Sequence, residues 1–424
     1  MKVQHLLWLA GTATVCSSAA FGFVEIGRGE LLLATSARET YDSRVFGGAN
    51  PEDDYIFTLE PRLLYQHYSG ELKLDGLLGT RINRYSRLTE LNSEDLESNL
   101  RLSLPSEAGT RISGSLNVGY DERTEVNYDV NARVREKTFN TQLNGLVPLG
   151  LKTSLLLDGL FRHDQRNQFS DRETREGSAG FRYVDFLGGS AIDLLYRRLE
   201  VDTSGGNAWG IPLRQRSDMY TVALSRPLYH DIRGSVSYGY RVLHRSQAEL
   251  AVLGPNDSSG SVFSVNVTGP FLPESLFPKL ETALSLGYQK AETPGISDKG
   301  GTRFYGTLHV GWHARERTEV AFDARRGREL SINDVTVETT SYTVNLRQGI
   351  GNFMHGTLLA GYEERNYLTL GRTDNVTLAG ATLSYRITKT WSADADYRFR
   401  GANSSFQTAD YSRHVVMVSL TYTF

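Results

Sequence analysis

From Leu31 to the last residue, apolar and polar side chains alternate with a period of two. Ile112, Gly114, Leu116, Val118 and Tyr120 fall on one face, against Arg111, Ser113, Ser115, Asn117 and Asp121 on the other. The device returns at Ile232, Gly234, Val236, Tyr238, Tyr240 and Val242, and again at Phe304, Gly306, Leu308, Val310 and Trp312. A strand sends successive side chains to opposite faces, so each segment predicts a strand with one apolar and one charged side. No helical periodicity, low-complexity run or linker interrupts the pattern, which predicts a single domain over 23–424.

Twenty strands are expected, the first near 31–41 and the last near 411–424, with eighteen as the alternative count. Each is long enough to cross a bilayer when tilted, for which about 9–11 residues suffice. Alternate connections are tight, as at Ser69-Gly70, Pro148-Leu149-Gly150, Leu187-Gly188-Gly189, Ala314-Arg315-Glu316 and Thr388-Lys389-Thr390. The intervening ones, such as 122–135, 164–175, 201–214 and 245–258, read as longer polar loops. Short periplasmic turns and longer outside loops are the habit of transmembrane β-barrels. The expected fold is therefore all-β: an antiparallel up-and-down transmembrane barrel with both termini in the periplasm. A soluble sandwich would also alternate, but would not show this loop asymmetry.

The two ends of the chain favour the membrane. Lys2, an apolar stretch from Leu6 to Val15, and Ser17-Ser18-Ala19-Ala20 read as a secretory signal peptide over 1–22, cleaved to start the mature chain at Phe21 or Phe23. The only cysteine, Cys16, lies in that segment after Val15, a poor setting for lipidation, so disulfides and thiol chemistry are not expected afterwards. At the other end His414, Val416, Val418, Leu420, Tyr422 and Phe424 share one face and finish on an aromatic. Val418, Leu420, Tyr422 and Phe424 resemble the terminal signal by which outer-membrane barrels are recognised for assembly. The expected location is the bacterial outer membrane, with its lipid and the barrel assembly machinery as partners.

In lipid every backbone group must be paired internally, so the sheet must close and its apolar face must meet acyl chains. Tyr65, Tyr120, Tyr240, Tyr288, Trp312, Tyr362, Tyr385, Tyr422 and Phe424 then fit interfacial girdles. The other register is rich in arginine: the chain has eight Lys among its 46 basic residues. Arg62, Arg81, Arg101, Arg111, Arg162, Arg182, Arg197, Arg233, Arg241, Arg303, Arg325, Arg347 and Arg398 are expected to line a lumen. Glu60, Asp75, Glu97, Asp121, Asp158, Asp193, Asp323, Asp394 and Asp396 are interleaved with them. An arginine facing lipid at the midplane costs about 2–4 kcal/mol, which sends these side chains inward. There they either hold a passing solute or pair across strands and stiffen the wall.

Other classes find little support. A net charge of −3 offers no basic field for nucleic acid. His309 and His313 stand about 13 Å apart along a strand, too far for one metal ion, and Asn50-Pro51-Glu52-Asp53-Asp54 lacks a complete calcium-loop pattern. No catalytic residue, cofactor or metal is assigned. About eight residues separate the expected cleavage point from the first strand, which leaves no room for a plug or a passenger domain.

The segment Glu39-Thr40-Tyr41-Asp42-Ser43-Arg44-Val45-Phe46, followed by Asp53-Asp54 and Thr58-Leu59-Glu60-Pro61, resembles the opening of the β-barrel porins of type 2. Members of that family are outer-membrane barrels, several associated with exopolysaccharide or capsule export. The resemblance implies a role in passing a polysaccharide outward with periplasmic export components. A diffusion porin for small neutral or anionic solutes is the alternative.

Overall fold

The computed structural model describes residues 24–26, 28–48, 50–104, 112–130, 132–167, 169–204, 213–229, 231–247, 257–270, 277, 279–290, 302–332, 336–368, 370–406 and 409–423. The expected signal peptide with Cys16, the terminal Phe424 and Arg111 lie outside them. Strands follow one another as β1 (Val24–Ile26), β2 (Gly29–Asp42), β3 (Asp54–Ser69), β4 (Leu72–Tyr85), β5 (Ser93–Leu104), β6 (Ser113–Asn127) and β7 (Ala132–Pro148). Next come β8 (Thr153–Arg166), β9 (Asp171–Phe186), β10 (Ser190–Ser204), β11 (Leu213–Tyr229), β12 (Ile232–Gln247), β13 (Asp257–Thr268) and β14 (Leu280–Lys290). The last seven are β15 (Thr302–Arg315), β16 (Thr318–Leu330), β17 (Thr336–Ile350), β18 (Met354–Tyr367), β19 (Arg372–Arg386), β20 (Trp391–Ser404) and β21 (Tyr411–Thr423).

Each strand from β2 to β21 pairs antiparallel with its sequence neighbours, and β2 pairs with β21, so twenty strands close into a barrel. The extra strand, β1, sits on β2 through Val24↔Leu31 to Ile26↔Gly29, below the point where β21 ends at Thr423↔Ala34. Carried strand by strand through the registers, Thr35 returns to the β2 line about 24 residues further on. With twenty strands that stagger gives a tilt of roughly 40° and a backbone radius of about 19 Å.

The registers separate the faces as alternation requires. Leu78, Leu100, Leu143, Leu194, Val222, Tyr238, Phe304, Leu358 and Val418 are exposed on the outer face. Tyr120, Tyr240, Tyr288, Trp312, Tyr362, Tyr385 and Tyr422 share that outer register, with Tyr288 against Phe304 at 5.5 Å and Trp391 against Tyr422 at 4.8 Å between ring centroids. Gly70 shows how the tight turns are made: it takes φ 58° at the first of two positions between β3 and β4, the seat such hairpins reserve for glycine.

The outer connections differ from expectation. The segment 122–135 is mostly strand, with only 128–131 left as connection, and 164–175 shrinks to 167–170. Strands of 15 to 17 residues at β6 and β7 run beyond what a bilayer needs. On the corresponding ends of β11, β16 and β17 the outer face turns polar: Arg216 lies 2.9 Å from Asp218 and Arg328 lies 2.8 Å from Glu338. Water outside the membrane solvates such pairs, so alternation continues while the apolar requirement lapses.

Buried residues gather at that same outer end. Val45, Ile56 and Tyr85 form one cluster, Val376, Ala402 and Tyr411 another, and Val337 with Tyr367 a third. The loop from Ser43 to Asp53 holds Val45 wholly buried, its amide donating to the Glu52 carbonyl at 2.8 Å.

Candidate functional site

Within the barrel the inner register carries charge in two different arrangements. Along β2 to β5 it forms a dense ion-pair ladder centred on Glu60, which is 5% exposed. Arg81 Nε donates to Glu60 Oε1 at 2.8 Å, while Arg62 and Arg38 approach within 3.5 and 3.8 Å. Arg62 also reaches Glu97 at 3.1 Å, and Lys73 reaches Asp75 at 3.1 Å. Three guanidiniums converge on one buried carboxylate, and among the described residues only Arg62 has a second acid, so the cluster depends on Glu60 staying charged.

Further pairs continue round the wall. Arg182 forks onto Asp193 with both bonds at 2.8 Å, Arg197 meets Glu176 at 2.7 Å, and Arg398 meets Asp396 at 2.8 Å. Arg162 pairs with Asp164 at 2.7 Å and not with Asp158, which instead accepts from the Ser178 hydroxyl. Asp121 pairs with Arg123, and Asp323 with His309 Nδ1 at 2.7 Å. Asp394 accepts from Ser419 at 3.4 Å, and Arg241 donates to the Ser217 hydroxyl at 2.7 Å.

By contrast, Arg101, Arg233, Arg325 and Arg347 occupy inner-register positions and form no ion pair among the described residues. The backbone of Arg303 pairs with Gln289; its side chain and Arg111 lie outside the described residues. No group of His, Cys, Asp and Glu among the described residues could hold a metal ion. The acidic run at 50–54 serves another cation: Arg87 lies 2.8 Å from Asp53, and the amides of Arg87 and Leu88 donate to Asp54. The bond from Arg87 holds the Asp53 carboxyl below the usual carboxylate range.

The most constrained part of the lumen is one that alternation did not single out. The β6–β7 turn brings Tyr128 and Asp129 against the inner wall of β18 to β21. Tyr128 stacks on Tyr411 with centroids 5.6 Å apart and planes 9° from parallel, and Arg400 lies over its ring at 4.3 Å. Arg413 donates to the Tyr128 hydroxyl while forking onto Asp42 at 2.9 and 2.5 Å. Asp129 accepts from Tyr367 and lies 3.0 Å from Arg365, and Arg372 covers the Tyr367 ring at 4.7 Å. A second crossing joins Arg172 at the start of β9 to the carbonyl of Ser331, at 2.9 Å and 159 positions away. Together these contacts narrow the outer mouth.

Arg365, Arg372, Arg400, Arg413, Tyr128, Asp129, Tyr367 and Tyr411 were thus missed by sequence reasoning. Each strand residue among them follows the inner register, and that signal was present. What the sequence lacks is any mark that Tyr128 and Asp129 fold inward.

Residues 276–424 match the family model described as "Putative beta-barrel porin 2". The match lies in the carboxyl-terminal strands, away from the opening segment that carried the resemblance. No curated protein matches the chain. Among solved structures, the FrpB iron transporter from Neisseria meningitidis is similar at TM-score 0.57 and 10% identity, covering 95% of this chain and 79% of that one. The ferric-catecholate import receptor Fiu from E. coli K12 gives TM-score 0.53 at 6% identity, covering 93% and 81%. The siderophore receptor PiuA from Acinetobacter baumannii gives 0.52 at 7%, covering 95% and 82%. At such identities the likeness is one of fold, that of an outer-membrane barrel.

Proposed function

From a chain whose residues 276–424 match the model of the β-barrel porin 2 family, we infer an outer-membrane pore that takes part in exporting a polysaccharide through its arginine-rich lumen. One observation carries the reading: Arg101, Arg233, Arg325 and Arg347 share the inner register and form no ion pair among the described residues, although paired arginines occupy the same wall. A guanidinium without an internal acid keeps its planar fork for carboxylate, phosphate or sugar oxygens, and it never deprotonates at physiological pH. Spaced, weak sites of this kind suit a sliding polymer, because tight binding at any one point would stop it.

On this reading residues 1–22 are removed during secretion, the assembly machinery reads the terminal aromatic strand, and periplasmic export components deliver the polymer. The barrel itself catalyses no reaction and needs no cofactor. A diffusion porin for small solutes is the second reading, favoured by the anchored Tyr128-Asp129 turn, which leaves less width at the outer mouth than the barrel alone would. Single-channel conductance in planar bilayers with sugars of graded size, beside surface polysaccharide in a deletion strain, tests the two. Export predicts loss of surface polysaccharide on deletion. Unchanged polysaccharide together with free passage of small sugars selects the diffusion porin.

A further inference from the structure

At the end of the barrel that holds the tight turns, the periplasmic end of such barrels, a polar cleft of about 610 Å³ opens beside the lower ends of β17, β18 and β19. Its floor is built. Arg317 ties two adjacent turns together, donating to the Gly351 carbonyl at 2.7 Å and to Asn352 Oδ1 at 2.9 Å. Arg386 lies over the Phe353 ring at 5.6 Å and donates to the Asn352 carbonyl at 3.4 Å. Above this floor Arg347 and His355 stand exposed on the inner register. Glu319 faces Arg347 across the β16–β17 ladder without closing an ion pair on it. Arg315, Arg317, Arg347 and Arg386 therefore outnumber the lining acids Glu316 and Glu319. Around Glu60, by contrast, each arginine has a carboxylate within 3.8 Å.

We propose that this cleft binds the carboxylate groups of an acidic glycan where the polymer enters the barrel, an assignment that rests on the export reading. Two features support a glycan over a lone small anion. The cleft is far larger than one oxyanion needs, and its lining includes Arg347 of the inner register. The cations are also spread over three strands and one turn, a spacing that suits charges repeated along a chain.

The test uses the full-length folded protein in detergent, with oligogalacturonate titrated calorimetrically against maltohexaose and inorganic phosphate. Oligogalacturonate is expected to bind and neutral maltohexaose not to. Arg347→Gln with Arg386→Gln should weaken binding by about tenfold or more, as loss of charge-assisted forks does, with Arg347→Lys falling between. Retained heat-modifiable migration shows that the variants fold. Should the pair fail to fold, Arg347→Gln alone must still weaken binding. Unchanged affinity in folded variants overturns the site, as does equal binding of maltohexaose. Equal displacement by free phosphate also overturns it, since the cleft would then hold small anions only. Loss of surface polysaccharide on deletion without oligogalacturonate binding removes this site and leaves export standing; binding with unchanged surface polysaccharide does the reverse.

Discussion

The Tyr367 hydroxyl donates to Asp129 Oδ1 at 2.7 Å, joining residues 238 positions apart across the outer mouth of the barrel. Asp129 has Arg365 as its second partner, whereas Arg365 also has Glu363 at 3.3 Å and Glu329 at 3.7 Å. The turn therefore depends on the wall more than the wall depends on the turn.

Tyr128→Ala combined with Asp129→Ala should free the turn without opening the barrel, since Arg413 keeps Asp42 and Arg365 keeps Glu363. The lost bonds are worth about 1–3 kcal/mol locally. Single-channel conductance should rise while heat-modifiable migration is kept. Unchanged conductance would mean that this turn does not limit the mouth.

Glu60 predicts the opposite balance. Glu60→Gln leaves Arg38, Arg62 and Arg81 sharing one neutral amide, with Glu97 as the one remaining acid for Arg62. Breaking a buried pair costs about 3–5 kcal/mol, and the partial exposure of these arginines puts the expected loss at or below about 3. Thermal unfolding followed by gel migration should begin at distinctly lower temperature. A melting curve like that of the parent chain would show that water compensates the three cations.

Arg101, Arg233 and Arg347 changed together to Gln should leave stability nearly untouched, because none forms an ion pair among the described residues. The anion-to-cation permeability ratio should fall, and surface polysaccharide with it. A markedly lower melting temperature with unchanged selectivity would assign these arginines to the structure of the wall.

Cysteine labelling on intact cells checks orientation. Cysteines at Asn50 and Glu90, in the connections β2–β3 and β4–β5, should react with an impermeant maleimide. Cysteines at Glu71 and Leu151, in tight turns, should not react until the outer membrane is breached. Reversed labelling would invert the barrel.

Strand number and facing were legible because lipid leaves a period-two sheet no alternative to closure, and Leu194, Tyr238 and Val418 follow the pattern. Strand ends such as those at 122–135 were not, since alternation by itself does not tell wetted strand from loop. The mouth was the least legible part. Arg400 and Tyr128 meet only because distant strands share one height on a tilted wall, a relation set by the stagger and absent from any local segment. Nor does alternation say which inward arginine finds an acid: Arg162 pairs within its own strand and Arg182 across to β10.

The ladder between β2 and β21 runs only from Ala34↔Thr423 to Asp42↔Val415, and it is the one ladder in the closed sheet whose two strands no loop joins. Hydrogen bonds and side chains alone hold that seam, so heat should unzip the wall there first and insertion should finish there last. Until then β2 offers an open edge to any passing strand. By occupying Gly29 to Leu31, β1 shortens that edge before the final strand arrives, guarding the unfinished barrel against pairing with a neighbour.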